Sequence, residues 1–246
     1  WKTDHSDTEV VLRAYEHWGI DCLQRFRGMF AIGIYDSRTD ELWLVRDRIG
    51  VKPIYYSVHN HRITFASEIK ALLRDPEQKR EVDRRSLYHY LSFLATPAPD
   101  TLFEGIKKLP GGCLLKVDRS GELKVERYWD VWDSARPLTA QSEDEIAKCI
   151  LTELKTSVAL RKVSDVPVGV FLSGGIDSST NATLFTEGAT QPVHTFSLGY
   201  EGENETYQNE LHYAREVAEK LKTNHHEILL DANDLIKFLP EMTHLQ

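Results

Sequence analysis

A short stretch in the second half of the chain, residues 168–179 (VGVFLSGGIDSS), has residue types suited to binding a phosphate chain. Gly174 and Gly175 let the backbone turn tightly and approach a ligand closely, because neither has a Cβ atom. Three hydroxyl donors lie beside them, at Ser173, Ser178 and Ser179. Asp177 alone would repel a phosphate, so we expect Mg²⁺ to bridge its carboxylate and the phosphate oxygens. The stretch predicts a phosphate site with Asp177 as a metal ligand.

Other phosphate-binding patterns do not fit this stretch. The G-x-x-x-x-G-K-[ST] pattern needs a lysine that the loop lacks, and the G-x-G-x-x-G pattern of dinucleotide sites is absent as well. A purely structural interpretation stays open, in which the glycines make a tight turn and Asp177 favours the positive end of a helix dipole. That interpretation explains the glycines but not the whole polar run.

Alternating strands and helices are predicted around the stretch. The predicted elements are strand 166–172, helix 178–187, strand 193–198, helix 210–222, strand 226–230 and a helix from 232. This alternation is typical of crossover connections and therefore of a parallel sheet. Ligands bind at the carboxyl ends of such strands, where the next helix presents free amides. The stretch is predicted to lie at that position.

The first half of the chain predicts antiparallel hairpins with a few helices. Period-two patterns separated by polar turns give the strand candidates MFAIGIYD, ELWLVR, PIYYSV, RITFA, CLLKV and LKVERYW. An amphipathic helix is predicted from Thr8, with Asp7 as its N-cap and Gly19 as its C-terminal stop. A further helix is predicted over residues 83–93. We expect a β-rich layer.

A domain boundary is predicted where the apolar periodicity lapses, at residues 131–141. After it, Ser142 and Glu145 form a capping box ahead of a new amphipathic helix. The expected domains are residues 1–135 and 142–246.

The composition favours small-molecule chemistry in the cytoplasm. The chain has 30 Lys and Arg against 38 Asp and Glu, and the resulting net charge of −8 disfavours nucleic acid or an anionic membrane as a partner. Three widely separated cysteines, Cys22, Cys113 and Cys149, favour free buried thiols over disulfides or a zinc site. The longest apolar stretch is far shorter than the roughly 20 residues that span a bilayer.

These segments resemble a known family. SGGIDSS after an apolar strand resembles the pyrophosphate loop of ATP pyrophosphatases. RFRGMFAIGIYDSRTDELWLVRDRIGVKPIYY, FASEIKALL and FEGIKKLPGG extend the resemblance, to glutamine-dependent asparagine synthetases, along nearly the whole chain. It implies part of an α+β glutaminase sandwich of the N-terminal nucleophile (Ntn) type. Part of an α/β parallel-sheet ATP pyrophosphatase domain, adenine nucleotide alpha hydrolase-like, would follow.

The resemblance also implies a reaction and its cofactors. ATP and Mg²⁺ would activate aspartate as β-aspartyl-AMP with release of pyrophosphate, and ammonia from glutamine would convert it to asparagine. The implied partners are the small molecules glutamine, aspartate and ATP. A homodimer is left open.

Individual residues correspond to the family's site positions. The ATP and pyrophosphate positions correspond to Leu172, Ser173, Gly174, Gly175, Asp177, Ser178, Ser179 and Leu198. Asp177 corresponds to the magnesium ligand, and the two leucines to positions around the adenosine, although ordinary core packing explains them equally. Asp7, in HSDTE, corresponds to the aspartate that binds the α-amino group of glutamine. An ammonium group prefers such a charged acceptor.

The chain departs from the family's pattern near its ends. The family's nucleophile is an N-terminal cysteine, whereas Trp1 stands here and the cysteines are internal. The arginine for the glutamine carboxylate, the Asn-Gly-Glu oxyanion segment and the aspartate-binding residues are also missing. We therefore expect the middle of a larger enzyme, without glutaminase activity of its own. Two alternatives stay open, namely a relative that adenylates another carboxylate, as in β-lactam formation or peptide amidation, and a binding protein that has lost its chemistry.

Overall fold

The computed structural model of the chain describes residues 2–3, 6–137, 141–201 and 210–245. The chain divides into two compact units, Trp1–Arg136 and Pro137–Gln246. The strands described in the first unit form antiparallel sheets, and those in the second form a parallel sheet. None of the described helices is long and apolar enough to cross a membrane.

The strands of the first unit pair as hairpins. They are β1 (Ala31–Asp36), β2 (Glu41–Arg46), β3 (Tyr55–His59), β4 (Arg62–Ala66), β5 (Ile106–Lys108), β6 (Cys113–Val117) and β7 (Leu123–Arg127). One sheet has the order β1-β2-β6-β7 and the other β4-β3-β5. The pairs β1-β2, β3-β4 and β6-β7 are antiparallel, which confirms the predicted hairpins. The three-residue strand β5 was not predicted.

Three helices of the first unit, those that begin at residues 7, 84 and 131, are capped by a polar side chain at the N-terminus. The helices of this unit are α1 (Asp7–Trp18), α2 (Ile69–Leu72), α3 (Arg84–Phe93) and α4 (Val131–Ser134), with a 3₁₀ helix at Gly19–Arg25. The prediction of Asp7 as the N-cap of α1 is wrong. Ser6 is the N-cap, because its hydroxyl accepts the Glu9 N–H at 3.4 Å, and Asp7 is the first helical residue. Gly19, with φ +59°, ends α1 as predicted.

The four-stranded sheet separates two apolar clusters. Leu44 and Leu115 lie opposite each other in the β2-β6 register and pack with side chains of the second sheet and its flanking loops. Their strand neighbours Val45 and Leu114 face the other way and pack against α1 and the 3₁₀ helix. Alternation along each strand therefore puts a helical layer on one face of this sheet and the second sheet on the other.

A buried carboxylate organises the loop after β2. Asp47 is 0% exposed and accepts hydrogen bonds from the backbone N–H groups of Phe30, Val51 and Lys52 at 3.2, 2.8 and 2.8 Å. A buried carboxylate needs such donors, since a charge taken out of water without partners is costly.

Arg46, the residue before Asp47, binds carbonyl groups in the same loop and beside it. The Arg46 guanidinium donates to the carbonyl oxygens of Lys52, Leu109 and Gly50 at 2.8, 2.8 and 2.6 Å.

Burial, together with the negative charge of Asp47, raises the pKa of Tyr128 to about 12. The Tyr128 hydroxyl therefore stays protonated and donates to the Arg46 carbonyl at 2.8 Å.

The second unit alternates strands and helices as predicted. Its described elements are α5 (Glu143–Arg161), β8 (Gly169–Phe171), α6 (Ile176–Thr186), β9 (His194–Tyr200), α7 (Leu211–Leu221), β10 (Asn224–Leu230) and α8 (Ala232–Leu245). The predicted parallel sheet and the capping box of Ser142 and Glu145 are both confirmed. The strand order in this sheet is β10-β9-β8. Strand β8 is shorter than expected, and it begins two residues after Pro167, which has no N–H to donate to a ladder.

The parallel sheet has one covered and one open face among the described residues. Val170 joins Leu172 and side chains of α5, α6 and α7 in an apolar cluster. Phe171 and Leu198, on the opposite face, are 86% and 54% exposed.

The cysteines are free thiols. Cys22 and Cys113 are buried as expected, but the expectation of burial is wrong for Cys149, which lies on the exposed side of α5.

Replacing Asp47 by Ala should destabilise the first unit strongly. Three backbone N–H groups would lose their acceptor inside the protein, at roughly 1–3 kcal/mol for each group left unsatisfied. Urea unfolding measures the loss. The control is Asp118→Ala, because Asp118 also accepts three hydrogen bonds, from Ser120 N, Ser120 Oγ and Glu122 N, but in a solvent-facing turn. Equal losses in the two variants would contradict the role assigned to Asp47.

Candidate functional site

The predicted phosphate loop connects β8 to α6. Strand β8 ends at Phe171, α6 begins at Ile176, and Gly175 is the N-cap of α6. No side chain of the described residues caps this helix end. Its first backbone N–H groups and the positive end of the helix dipole are therefore available to an anion.

Gly174 is the point where the loop meets the start of α7. Its φ is +84°, and a Cβ atom built there would lie 2.6 Å from Tyr213 Cβ and 2.7 Å from the backbone nitrogen of Ala214. Both the positive φ and the lack of space require glycine. The loop consequently packs backbone against backbone on α7.

The serines of the loop bond mainly to one another. Ser173 Oγ and Ser178 Oγ are 2.9 Å apart, and Ser178 Oγ accepts the Ser173 N–H at 3.2 Å. The same Ser178 hydroxyl lies 3.2 Å from the Gly175 carbonyl oxygen, and the Gly175 N–H donates to Ser173 Oγ at 3.4 Å. Ser179 Oγ is buried and has no hydrogen-bond partner within the described ranges. A ligand would exchange bonds with a loop that is already closed on itself.

Asp177 lies in the first turn of α6 with an exposed side chain. No hydrogen bond or ion pair reaches its carboxylate from the part of the chain that the structure describes. That part also contains no group of three or more His, Cys, Asp or Glu that could hold a metal ion. A single free carboxylate suits Mg²⁺, which binds through one or two carboxylates while substrate phosphates supply other ligands.

The two leucines expected near an adenosine lie in different environments. Leu172 is 1% exposed and its side chain belongs to the apolar cluster under α5, α6 and α7. Leu198 lies in β9 on the open face of the sheet. The structure therefore does not bring these side chains together on one wall, and only the side chain of Leu198 is accessible.

Asp7, in the first unit, is exposed at the start of α1. Because Ser6 performs the capping, the Asp7 carboxylate is left free among the described residues. Glu9 holds the segment in front of the helix, accepting from the backbone N–H groups of Lys2 and Thr3 and from the Thr3 hydroxyl at 2.7–3.0 Å. The Thr3 hydroxyl, followed by the Lys2 N–H, lowers the pKa of Glu9 to about 2.

Two residues beside the loop were missed by the sequence analysis. Tyr213 approaches Gly174, and the hydroxyl of Ser197 donates a short hydrogen bond to the Leu172 carbonyl. The period-two alternation of HTFSLGY predicts that Ser197 shares a face with Thr195, but it gives no contact across to the loop. No signal in the sequence indicates the approach of Tyr213.

Comparison with known proteins assigns each half of the chain to a domain family. Residues 1–129 match the glutamine amidotransferase domain family, and residues 150–246 match the asparagine synthase family. The chain belongs to the glutamine-hydrolysing asparagine synthetase family. Asparagine synthetase [glutamine-hydrolyzing] 3 of Bacillus subtilis is 34% identical over 248 residues, which cover 96% of this chain and 40% of that protein. Asparagine synthetase [glutamine-hydrolyzing] 1 of Bacillus subtilis is 33% identical over 237 residues, covering 96% and 36%.

The chain thus spans about two fifths of the length of these asparagine synthetases. A solved glutamine phosphoribosylpyrophosphate amidotransferase from B. subtilis, complexed with ADP and GMP, matches 92% of this chain and 40% of that chain. Its sequence identity is 16% and its TM-score is 0.35.

Replacing Gly174 by Ala should destabilise the second unit more than the same change at Gly188. Gly188 has a similar φ of +71° but open space around it, so Gly188→Ala costs only the backbone strain of about 1–2 kcal/mol. Gly174→Ala adds a steric clash with α7. Urea unfolding of both variants measures the difference, and equal losses would mean that the loop does not pack on α7.

The Glu9 carboxylate should make stability depend on pH in the acid range. Its pKa is about 2 in the folded chain against an ordinary 4.5, so its stabilising effect is full above pH 4.5 and disappears as the pH falls towards 2. Glu9→Gln should flatten that part of the profile. Urea unfolding between pH 5 and 2 tests this. Glu16→Gln is the control, because Glu16 lies on the same helix and contacts Arg13 rather than the backbone amides of residues 2 and 3. Parallel profiles for wild type and Glu9→Gln would contradict the prediction.

Proposed function

We propose that this chain is part of an enzyme that makes asparagine from aspartate, ATP and ammonia released from glutamine. Residues 1–135 would be the C-terminal part of its glutaminase domain, and residues 142–246 the N-terminal part of its ATP pyrophosphatase domain. Membership of the asparagine synthetase family supports the reaction. The loop between β8 and α6, with a helix end that no described side chain caps, is the feature that supports ATP as a substrate.

The phosphate chain of ATP would lie at the N-terminus of α6. The free N–H groups there, together with Gly174 and Gly175, offer donors to the phosphate oxygens that leave as pyrophosphate. The hydroxyls of Ser173, Ser178 and Ser179 would add further hydrogen bonds. Ser179 Oγ, which is buried and has no partner among the described residues, would have to turn towards the phosphates to do so. This arrangement would stabilise the negative charge that develops on the leaving group.

Asp177 would hold Mg²⁺ beside this loop. Its carboxylate is exposed and free among the described residues, and phosphate oxygens would complete the coordination. When bound, the ion neutralises phosphate charge. The protein's own part is to place one carboxylate at a fixed point of the first helical turn, next to the amides that bind the phosphates.

The leucines would contribute to nucleotide binding in different ways. Leu198 offers an exposed apolar side chain at the end of β9. Leu172 would contribute by packing beneath the loop, because its side chain is buried in the apolar cluster and its backbone N–H and carbonyl are bonded to Phe196 and Ser197.

Asp7 would bind the α-amino group of glutamine in the first unit. The carboxylate is exposed and needed by no contact among the described residues, while Ser6 caps the helix. A free carboxylate next to an ammonium group forms a charge-assisted hydrogen bond, which is roughly twice as strong as a neutral one.

The proposed partners are small molecules in the cytoplasm, namely glutamine, aspartate and ATP. The net charge of −8 supports this choice over nucleic acid or an anionic membrane surface.

The product of the complete gene should release pyrophosphate and form asparagine when given ATP, Mg²⁺, aspartate and glutamine. Ammonia in place of glutamine tests the synthetase half alone. Pyrophosphate without asparagine would point to another acceptor carboxylate, and no pyrophosphate with either nitrogen donor would refute the proposal.

Asp177→Asn should lower the turnover number for pyrophosphate release by roughly 10²- to 10³-fold, the effect typical of losing one electrostatic group at a reacting centre. The neutral amide keeps the shape of the side chain but binds Mg²⁺ poorly. Asp165→Asn, an exposed carboxylate in the loop before β8, is the matched control and should leave turnover unchanged. Pyrophosphate release is followed over a range of Mg²⁺ concentrations. Full activity of Asp177→Asn would remove the metal role.

A further inference from the structure

A buried hydroxyl contacts the peptide group from which the phosphate loop departs. Ser197, in β9, is 7% exposed, and its Oγ donates a short hydrogen bond to the carbonyl oxygen of Leu172. The N–H of Leu172 donates to the Phe196 carbonyl oxygen at 2.8 Å. Since β8 ends at Phe171, these contacts hold the chain to the sheet one residue beyond the strand.

The bond from Ser197 also determines where the next N–H points. The Leu172 carbonyl and the Ser173 N–H belong to one planar trans peptide group and point in opposite directions. A hydrogen bond that fixes the carbonyl therefore fixes the N–H as well. In the structure this N–H donates to Ser178 Oγ at 3.2 Å, inside the loop.

We propose that Ser197 is a positioning residue for the phosphate site, which sets the direction of the first amide of the loop. This inference rests on the proposed binding of ATP at that loop. Without the hydroxyl, the Leu172 carbonyl loses its buried donor. The peptide group between residues 172 and 173 is then held, among the described residues, only by the 3.2 Å bond from the Ser173 N–H to Ser178 Oγ, so it can rotate more easily. Rotation turns the Ser173 N–H away from the loop and leaves Ser178 without its donor. The loop would then present its donors to a phosphate in several arrangements instead of one.

Thr195 provides a closely matched comparison. It lies two residues earlier on the same strand and the same face, is 0% exposed, and also carries a hydroxyl. Its Oγ1 lies 2.8 Å from Thr223 Oγ1 and 2.9 Å from His225 Nδ1, at the opposite end of the strand from the loop. Removing this hydroxyl costs a buried hydrogen bond without touching Leu172.

The experiment compares Ser197→Ala and Thr195→Val in the complete gene product. Isothermal titration calorimetry with inorganic pyrophosphate and Mg²⁺ should give an affinity roughly 5- to 10-fold weaker for Ser197→Ala, the loss expected for one positioned hydrogen bond, and unchanged for Thr195→Val. Hydrogen exchange of the amides of residues 173–175 should be faster in Ser197→Ala only. Ser197→Thr, which keeps the hydroxyl, should restore both readouts. If Ser197→Ala does not fold, Ser197→Cys takes its place, since a thiol fills the site with a much weaker donor.

The possible outcomes separate this inference from the proposed function. A loss of affinity and faster exchange confined to Ser197 support it. Equal changes in Ser197→Ala and Thr195→Val, or no change in either, overturn it while pyrophosphate binding by the wild type leaves the proposed function standing. Failure of the wild type to bind pyrophosphate overturns the proposed function and the effect of Ser197 on ligand binding. The exchange rates of the amides then test only whether Ser197 holds the peptide group between residues 172 and 173.

Discussion

The close approach of Gly174 to the first turn of α7 is the constraint on which the second unit's site depends. No side chain fits between the two backbones, so the position of α7 determines where the chain can turn after β8. That turn determines where α6 begins, and the start of α6 determines where its free amides and Asp177 lie. The packing of helices against the sheet thereby fixes the positions of polar groups at the surface, because a closely packed interior tolerates few gaps.

In the first unit, a buried carboxylate fixes a loop in addition to close packing. The backbone of the loop after β2 lies close to that of Gly111, and the backbone N–H groups of Phe30, Val51 and Lys52 converge on the carboxylate of Asp47. Arg46 donates to three carbonyl groups of the same region, so the two side chains provide partners for backbone donors and for backbone acceptors. In each unit, one residue fixes a loop beside a sheet, namely Asp47 in the first unit and Gly174 in the second, and its replacement is expected to reduce stability.

The sequence allowed most of the architecture to be predicted, because periodicity is a local property. The β1-β2 hairpin, the parallel pairing of β9 with its neighbours and the capping box at Ser142 all follow from local sequence patterns. The error at the start of α1 arose because two neighbouring residues can both cap a helix. Ser6 and Asp7 are both good N-caps, and only the geometry of the first turn decides between them.

The site was predictable in its residue types and less so in its contacts. The glycines, the serines and Asp177 predict a polar turn before a helix, and the structure has such a turn before α6. The environments of Leu172 and Leu198 were not predictable as a pair, because they depend on which face of the sheet each strand end presents. The bond of Ser197 to the loop joins residues 25 positions apart, and no local pattern encodes such a distance.

The mutual bonding of Ser173 and Ser178 has an energetic consequence for recognition. A loop that is held in place by its own hydrogen bonds does not need to be ordered by its ligand, so association would not carry the conformational entropy cost of folding a flexible segment. The exchange of one set of hydrogen bonds for another releases little net heat on its own. Binding of an anion at this loop would therefore be driven largely by electrostatic attraction to the helix end and by water released from both surfaces, and its strength would fall as ionic strength rises.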